Sequence, residues 1–411
     1  MPVVDRVVVV HDFIEMRGGA AVLARLSATQ YSKLGIEVVY ISGDRDDGSL
    51  STDRIETVGL NQDSLLSLNK YTALTRGIFN QNAAKAVADW IRENDTPTTA
   101  YHLHNWSQIL SPSIFKALEP VSERTVVSCH DLFNICPNGG LLHYPTNTPC
   151  SLKPMSANCW LSQCDRRNAA QKYWRMIRQL NLNRVAKFSS SKMTFVCLHA
   201  GMEALMRSVG FSAPNLTSIP NPAMAYTQDR IKCEDNRPFL FVGRLTAEKG
   251  VDIALAEAKR AGVPMIIVGS GDLEESLRAQ YKDAVFAGFC DHSEIVKYAQ
   301  QSRAIIVPSR VREPFGLVVG EGALSGLPIL ISEQSMLSSR VKQLEIGDSF
   351  NTTESGSLAR VLAEWAGNDE LIEGLSKNAI ANANKICSSP ESWTRQFVEL
   401  MQSKLDAAGA R

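Results

Sequence analysis

Val7 to Val10 are four β-branched residues in an unbroken row. Such a run reads as a strand buried on both faces, the kind that parallel sheets use. Gly18 and Gly19 follow, and then a stretch in which Val22, Leu23 and Leu26 keep helical spacing until Gly35 supplies a stop. EVVYIS (37–42) is the next strand, so the chain opens as a βαβ unit with parallel strands and a right-handed crossover. The same alternation recurs. TAYHLHN (99–105), RTVVSCHD (124–131) and FVCLHA (195–200) read as strands that end in polar residues.

A proline-rich break at IPNPA (219–223) precedes a second series. FLFVGRL, PMIIVGSG, AVFAGF, AIIVPS and PILIS are strands separated by helical segments such as VDIALAEAKRAG. Strands alternating with helices predict α/β architecture with doubly wound parallel sheets. Two series predict two Rossmann-like domains, residues 1–219 and 220–392. The final amphipathic helix, about 393–411, is assigned to the first domain. Open α/β sheets bind ligands past the carboxyl ends of their strands. The residues at those ends are His11, Asp12, His104, His130, Asp131, Arg244, Gly269, Gly271 and Arg310, and together they predict a ligand cleft.

Composition narrows the class. The chain has 411 residues, with 43 Lys or Arg against 43 Asp or Glu, and is 44% hydrophobic. That balance excludes a disordered chain and a coiled coil, and it argues against nucleic-acid binding. No run of about 18 apolar residues is present to cross a bilayer. MPVVDRVVVVHDF is too short and too polar-flanked for a secretory leader, so a cytoplasmic location is expected. Nine cysteines without such a leader argue for reduced thiols.

The sharpest chemistry lies in PSRVREPFGLVVGEGALSGLP (308–328). Pro314 fits the first turn of a helix, which would aim the amides of Phe315, Gly316 and Leu317 at an anion. Glu321 lies eight residues after Glu313. At a rise of ~1.5 Å per residue it would sit ~10 Å deeper along the helix, within reach of a ribose. GRLTAEKG (243–250) adds Arg244 and Lys249, a fork and a point charge suited to a diphosphate. Gly269 and Gly271 make a third close-approach loop. No G-x-G-x-x-G follows a strand and no P-loop motif is present, so a dinucleotide cofactor is not indicated.

The E-x7-E run from Glu313 to Glu321, the GRL-x-x-EKG loop and the Gly18-Gly19 loop after the first strand resemble the retaining glycosyltransferases of family 4. The resemblance implies the GT-B fold, with two Rossmann-like domains facing a cleft. It implies transfer of a sugar from a nucleotide diphosphate sugar, UDP- or GDP-linked, to a glycan or lipid-linked acceptor, as in cell-surface polysaccharide biosynthesis. By the same likeness Arg244 and Lys249 would meet the diphosphate and Glu321 the ribose. Glu313 would sit by the donor sugar, with Gly316 and Leu317 giving amides and Gly18-Gly19 approaching from the other domain. His130 would lie near the reacting carbon, with His104 and Asp131 on the acceptor side. No catalytic metal is implied. One departure is Ala20-Ala21, where many relatives carry an acidic residue after the glycine pair. A GT-B phosphorylase, a nucleotide-sugar epimerase and a non-catalytic sugar-nucleotide-binding protein are the alternatives.

Two segments add further expectations. Cys136, Cys150, Cys159 and Cys164 fall within one turn-rich stretch and suggest a structural zinc. From Arg166 to Lys192 there are eight Lys or Arg and no acidic residue, interleaved with Tyr173, Trp174, Ile177 and Leu180. Such a helix suits peripheral contact with an anionic membrane, here the inner face of the cell membrane.

Overall fold

The computed structural model describes residues 3–16 and 18–409. Its strands run in chain order as β1 (Arg6–His11), β2 (Glu37–Ser42), β3 (Ile55–Gly59), β4 (Thr99–Leu103), β5 (Thr125–Ser128), β6 (Leu142–His143), β7 (Thr148–Pro149), β8 (Thr194–Cys197) and β9 (Leu216–Ser218). They continue as β10 (Phe239–Val242), β11 (Met265–Val268), β12 (Val285–Gly288), β13 (Ala304–Val307), β14 (Ile329–Ser332) and β15 (Gly347–Phe350). The chain divides into two compact units. One holds residues 1–139, 152–219 and 390–411; the other holds 140–151 and 220–389.

The first unit is built on a seven-stranded sheet ordered β3-β2-β1-β4-β5-β8-β9. Every pairing in it is parallel. The valine run forms its centre, and Val7 to Val10 are all 0% exposed. Burying each contributes roughly 1.5–3 kcal/mol, which is why the strand needs no alternating pattern. The closing helix, Pro390–Gly409, belongs to this unit. Trp393, Phe397, Met401 and Leu405 recur every four residues along it and enter the core beside Val7, Tyr31 and Tyr40.

The second unit carries a six-stranded sheet ordered β12-β11-β10-β13-β14-β15, again wholly parallel. The short antiparallel hairpin β6–β7 also falls in this unit. In both sheets the strand order reverses beside the first strand of the series: between β1 and β4, and between β10 and β13. These are topological switch points, where the loops diverge and leave a crevice. The residues after β1, β4 and β5 meet at the first, and those after β10 and β13 at the second.

Candidate functional site

In the second unit the loop after β10 and the loop after β13 are packed as one piece. A Cβ on Gly250 would sit 2.0 Å from the carbonyl oxygen of Pro308, so only glycine fits there. The Arg310 amide donates to the Glu248 carbonyl at 2.9 Å. Its guanidinium donates to the Ala247 carbonyl at 2.6 Å and pairs with both oxygens of Asp252 at 2.7 Å. Arg310 is therefore occupied in fixing the 243–250 loop.

On that platform Lys249 forms an ion pair with Glu313 Oε1. The Ser309 hydroxyl donates to Oε2 at 2.6 Å. Burial pushes the Glu313 carboxyl up, but Lys249, Ser309 and the charge of Arg244 outweigh it, and the net shift is downward. Glu313 is thus held ionised. Arg244 itself is exposed. Thr246 Oγ1, in the same loop, is buried and has no hydrogen-bond partner.

The helix that follows is Leu317–Leu324, with Gly316 as its N-cap at φ 72°. A Cβ on Gly316 would lie 3.6 Å from Glu313 Cδ, so the helix start and the Glu313 carboxylate are neighbours. Two expectations need correction. Pro314 is not in the first helical turn; it lies two residues before the cap, in an irregular segment that ends at Gly316 with positive φ. Phe315 therefore stands outside the helix, and its side chain is 2% exposed. The amides at this end belong to Leu317 and Val318, while that of Val319 donates to the Gly316 carbonyl at 2.9 Å. Glu321 is four residues into the helix, about 6 Å along it rather than 10. Its Oε2 accepts from the Tyr226 hydroxyl at 2.8 Å. Burial raises the Glu321 carboxyl, and Tyr226 and His292 partly offset that.

The glycine loop after β11 packs directly on the loop that holds Arg244. A Cβ on Gly269 would come 1.9 Å from the Gly243 carbonyl oxygen, and one on Gly271 would come 2.6 Å from that of Leu245. The Leu245 amide donates to the Ser270 carbonyl at 2.9 Å. Gly269 and Gly271 thus let the Arg244 loop lie backbone to backbone on the neighbouring loop.

In the first unit, Gly18 caps the helix Gly19–Lys33 at φ 85° and ψ 175°, with no side-chain cap and no acidic residue in the first turn. At the end of β1, Asp12 accepts from the amides of Gln108, Ile109 and Leu110 at 2.8, 2.9 and 2.9 Å. Asp12 is 0% exposed and pins the loop after β4. Four histidines, His11, His102, His104 and His130, lie on or just past β1, β4 and β5. His104 Nδ1 lies 2.8 Å from His130 Nε2, and His104 Nε2 lies 3.1 Å from Ser27 Oγ. His102 packs against His104 with ring centroids 3.9 Å apart and planes tilted by 38°, and bonds Tyr31 and Ser128. His11 Nε2 and His130 Nδ1 are buried without partners. Burial pushes the His130 imidazole down to about 3. It pushes Asp131 up to about 6, against the bond from the Phe133 amide and the nearby Arg178. Ser27, Tyr226 and Ser309 carry no motif, and sequence reasoning did not single them out.

The cysteine expectation is also corrected. Cys164 Sγ lies 3.1 Å and Cys159 Sγ 3.7 Å from the Lys172 ammonium, a side chain only 1% exposed. Asn138 bridges Cys136 at 3.2 Å and Cys164 at 3.4 Å. Cys150 falls in the other unit. Among the described residues no group of three or more His, Cys, Asp or Glu is placed to hold a metal ion. A buried lysine cation lies against two of the four sulfurs and repels a second cation there, so these residues do not fit the group.

In the basic segment, the helix Ala169–Ala186 exposes Tyr173, Ile177 and Leu180. Trp174 donates to the Leu74 carbonyl, and Arg178 is buried beside Trp106. No described helix is long and apolar enough to cross a membrane.

Residues 226–382 match the family described as Glycosyl transferases group 1. The O-antigen chain mannosyltransferase C of Escherichia coli is 27% identical over 40% of this chain and 47% of its own length. The chain spans less than half the length of the first curated relatives it matches. Among solved structures, the sucrose-phosphate synthase of Thermosynechococcus elongatus superposes with a TM-score of 0.73 at 17% identity, covering 98% of this chain and 99% of that one. Anabaena HepE in complex with UDP gives 0.66 at 14% identity, covering 97% and 100%. The fold is GT-B, with two parallel-sheet α/β domains.

Proposed function

We propose that this protein is a retaining glycosyltransferase of the family 4 type. It moves a sugar from a UDP- or GDP-sugar to a glycan or lipid-linked acceptor, in the building of a cell-surface polysaccharide. One observation carries the reading: Lys249, Ser309 and Glu313 are locked together beside the Gly316 cap of the helix that carries Glu321. That arrangement offers cations and free amides to a diphosphate and a carboxylate to its ribose. The family match over 226–382 and the UDP bound to HepE support it.

Loss of the nucleotide leaves developing negative charge on the diphosphate. Preorganised donors stabilise such charge without reorganising at the moment of reaction. Arg244, Lys249 and the amides at the start of the helix Leu317–Leu324 supply that effect, which is why no metal is required in this reading. In a front-side attack the leaving phosphate oxygen takes the acceptor proton. His130, kept neutral, orients the sugar, with His104 and Asp131 on the acceptor side. Gly18-Gly19 contributes backbone to the diphosphate, and the exposed apolar residues between 166 and 192 rest on the inner face of an anionic membrane.

Incubation with UDP- and GDP-sugars, with and without glycan acceptors, tests this. Release of free nucleotide with retention at the anomeric carbon is the expected result. Consumption of orthophosphate would indicate a phosphorylase, conversion without acceptor an epimerase, and binding without turnover a sugar-nucleotide sensor.

A further inference from the structure

Three side chains of the first unit form a hydrogen-bonded line whose polarity can be deduced. The Ser27 hydroxyl is 2.8 Å from the Ala24 carbonyl oxygen, which can only accept. Ser27 has one hydrogen, and it is committed there. Its oxygen is also 3.1 Å from His104 Nε2, so that nitrogen must be the donor. A neutral His104 protonated at Nε2 has a bare Nδ1. His130 Nε2 lies 2.8 Å from that bare nitrogen and must donate to it. The remaining nitrogen of His130, Nδ1, is buried and unpartnered.

We infer that Ser27 and His104 are positioning residues that hold His130 as one tautomer, with hydrogen on Nε2 and a bare acceptor at Nδ1. The group this ring receives is then a hydroxyl that donates, not a phosphate or carboxylate oxygen. Resting on the transferase reading, that hydroxyl belongs to one of the two sugars. Neutral rings are what this environment favours, since burial drives His102, His104 and His130 all below the ordinary imidazole range. The His102 ring, tilted against His104 and stacked on Phe397 at 4.5 Å, keeps the line from rotating out of register. Ser27 sits on the helix that follows the glycine pair, so the line connects that helix to the end of β5.

The test reads the protonation of nitrogen directly. In the full-length protein labelled with 15N-histidine, long-range 1H–15N correlation separates protonated from bare ring nitrogens, and a His130→Ala variant assigns the His130 signals. The expected result is a protonated Nε2 and a bare Nδ1 on His130 without any substrate. A protonated Nδ1 in the wild-type protein overturns the inference. Ser27→Ala is expected to populate the second His130 tautomer, and an unchanged spectrum overturns it as well. In turnover with a UDP- or GDP-sugar, His104→Gln keeps an acceptor for His130 Nε2. It should exceed His104→Leu by about tenfold in kcat, the worth of one hydrogen bond. Equal rates for the two variants count against the positioning role. If the spectra come out as expected and no nucleotide is released, the transferase reading fails while the tautomer assignment stands.

Discussion

The Tyr226 hydroxyl and the Glu321 carboxylate are joined by a 2.8 Å hydrogen bond across 95 residues of sequence. Tyr226 is fixed in turn by its amide, which donates at 2.8 Å to Oγ of Ser325, the C-cap of the helix that carries Glu321. The carboxylate proposed to meet the ribose is therefore aimed before a nucleotide arrives. Tyr226→Phe should weaken donor binding about three- to tenfold, with kcat little changed, and Glu321→Ala should raise donor KM further. Calorimetric titration with UDP and GDP checks both; unaltered affinity in the two variants would remove Glu321 from the donor site.

Lys249 and Glu313 should be coupled in stability as well as in turnover. Lys249→Met leaves a half-buried carboxylate without its cation, at a cost of about 2 kcal/mol, and lowers kcat. Adding Glu313→Gln should recover most of the lost stability but no activity. Denaturant unfolding of the two variants decides this, and additive losses would mean the pair is not coupled.

Asp131 predicts a pH effect of definite sign. Its folded carboxyl titrates near 6, above the usual carboxylate range, mainly because of burial. The folded state then holds a proton that the unfolded state has already released. This contribution is full below about pH 4 and fades as pH rises through 6. Asp131→Asn should accordingly stabilise the protein at pH 7, by about 3 kcal/mol at most, and flatten the stability profile between pH 4 and 6. A variant less stable than wild type at pH 7 would contradict the assignment.

Gly269 and Gly18 separate crowding from backbone freedom. Gly269→Ala drives a methyl into the Gly243 carbonyl and should displace the Arg244 loop, lowering the melting temperature by several degrees and donor affinity with it. At Gly18 no atom lies within 4 Å of the added carbon, so Gly18→Ala costs only backbone strain at φ 85° and ψ 175°, on the order of 1–3 kcal/mol. Thermal melts that fail to separate the two variants would refute the distinction.

Lys172 is the test of the cysteine cluster. Replacing the buried ammonium with Met, which has similar length and no charge to desolvate, should leave stability unchanged or raised. Elemental analysis of the purified wild-type protein should find far less than one zinc per chain. Stoichiometric zinc would reverse the reading of that cluster.

The sheets were legible because a parallel strand buried on both faces must be apolar throughout, as Val7–Val10 and Ile305–Val307 are. The loops holding Arg244, Lys249 and Glu313 were legible because close backbone approach demands glycine and leaves a visible motif. The partners Ser27 and Tyr226 were not, because strand order brings them to His104 and Glu321 over 77 and 95 residues. No local pattern encodes such a pairing. The helix start was misplaced because the backbone angle of Pro314 suits a turn as well as a first helical residue, and the positive φ of Gly316 decided between them.

Asp12 binds its neighbouring loop through three main-chain amides and none of that loop's side chains. The anchor is therefore indifferent to which amino acids occupy 108–110. Ile109 and Leu110 are buried, so of the three only Gln108 reaches the surface, and its side chain can be exchanged, by natural drift or by an engineer seeking a new recognition contact, while the path of the chain stays put. Asp12 itself has no such latitude, since an asparagine in its place would turn an NH2 group toward amides that need an acceptor.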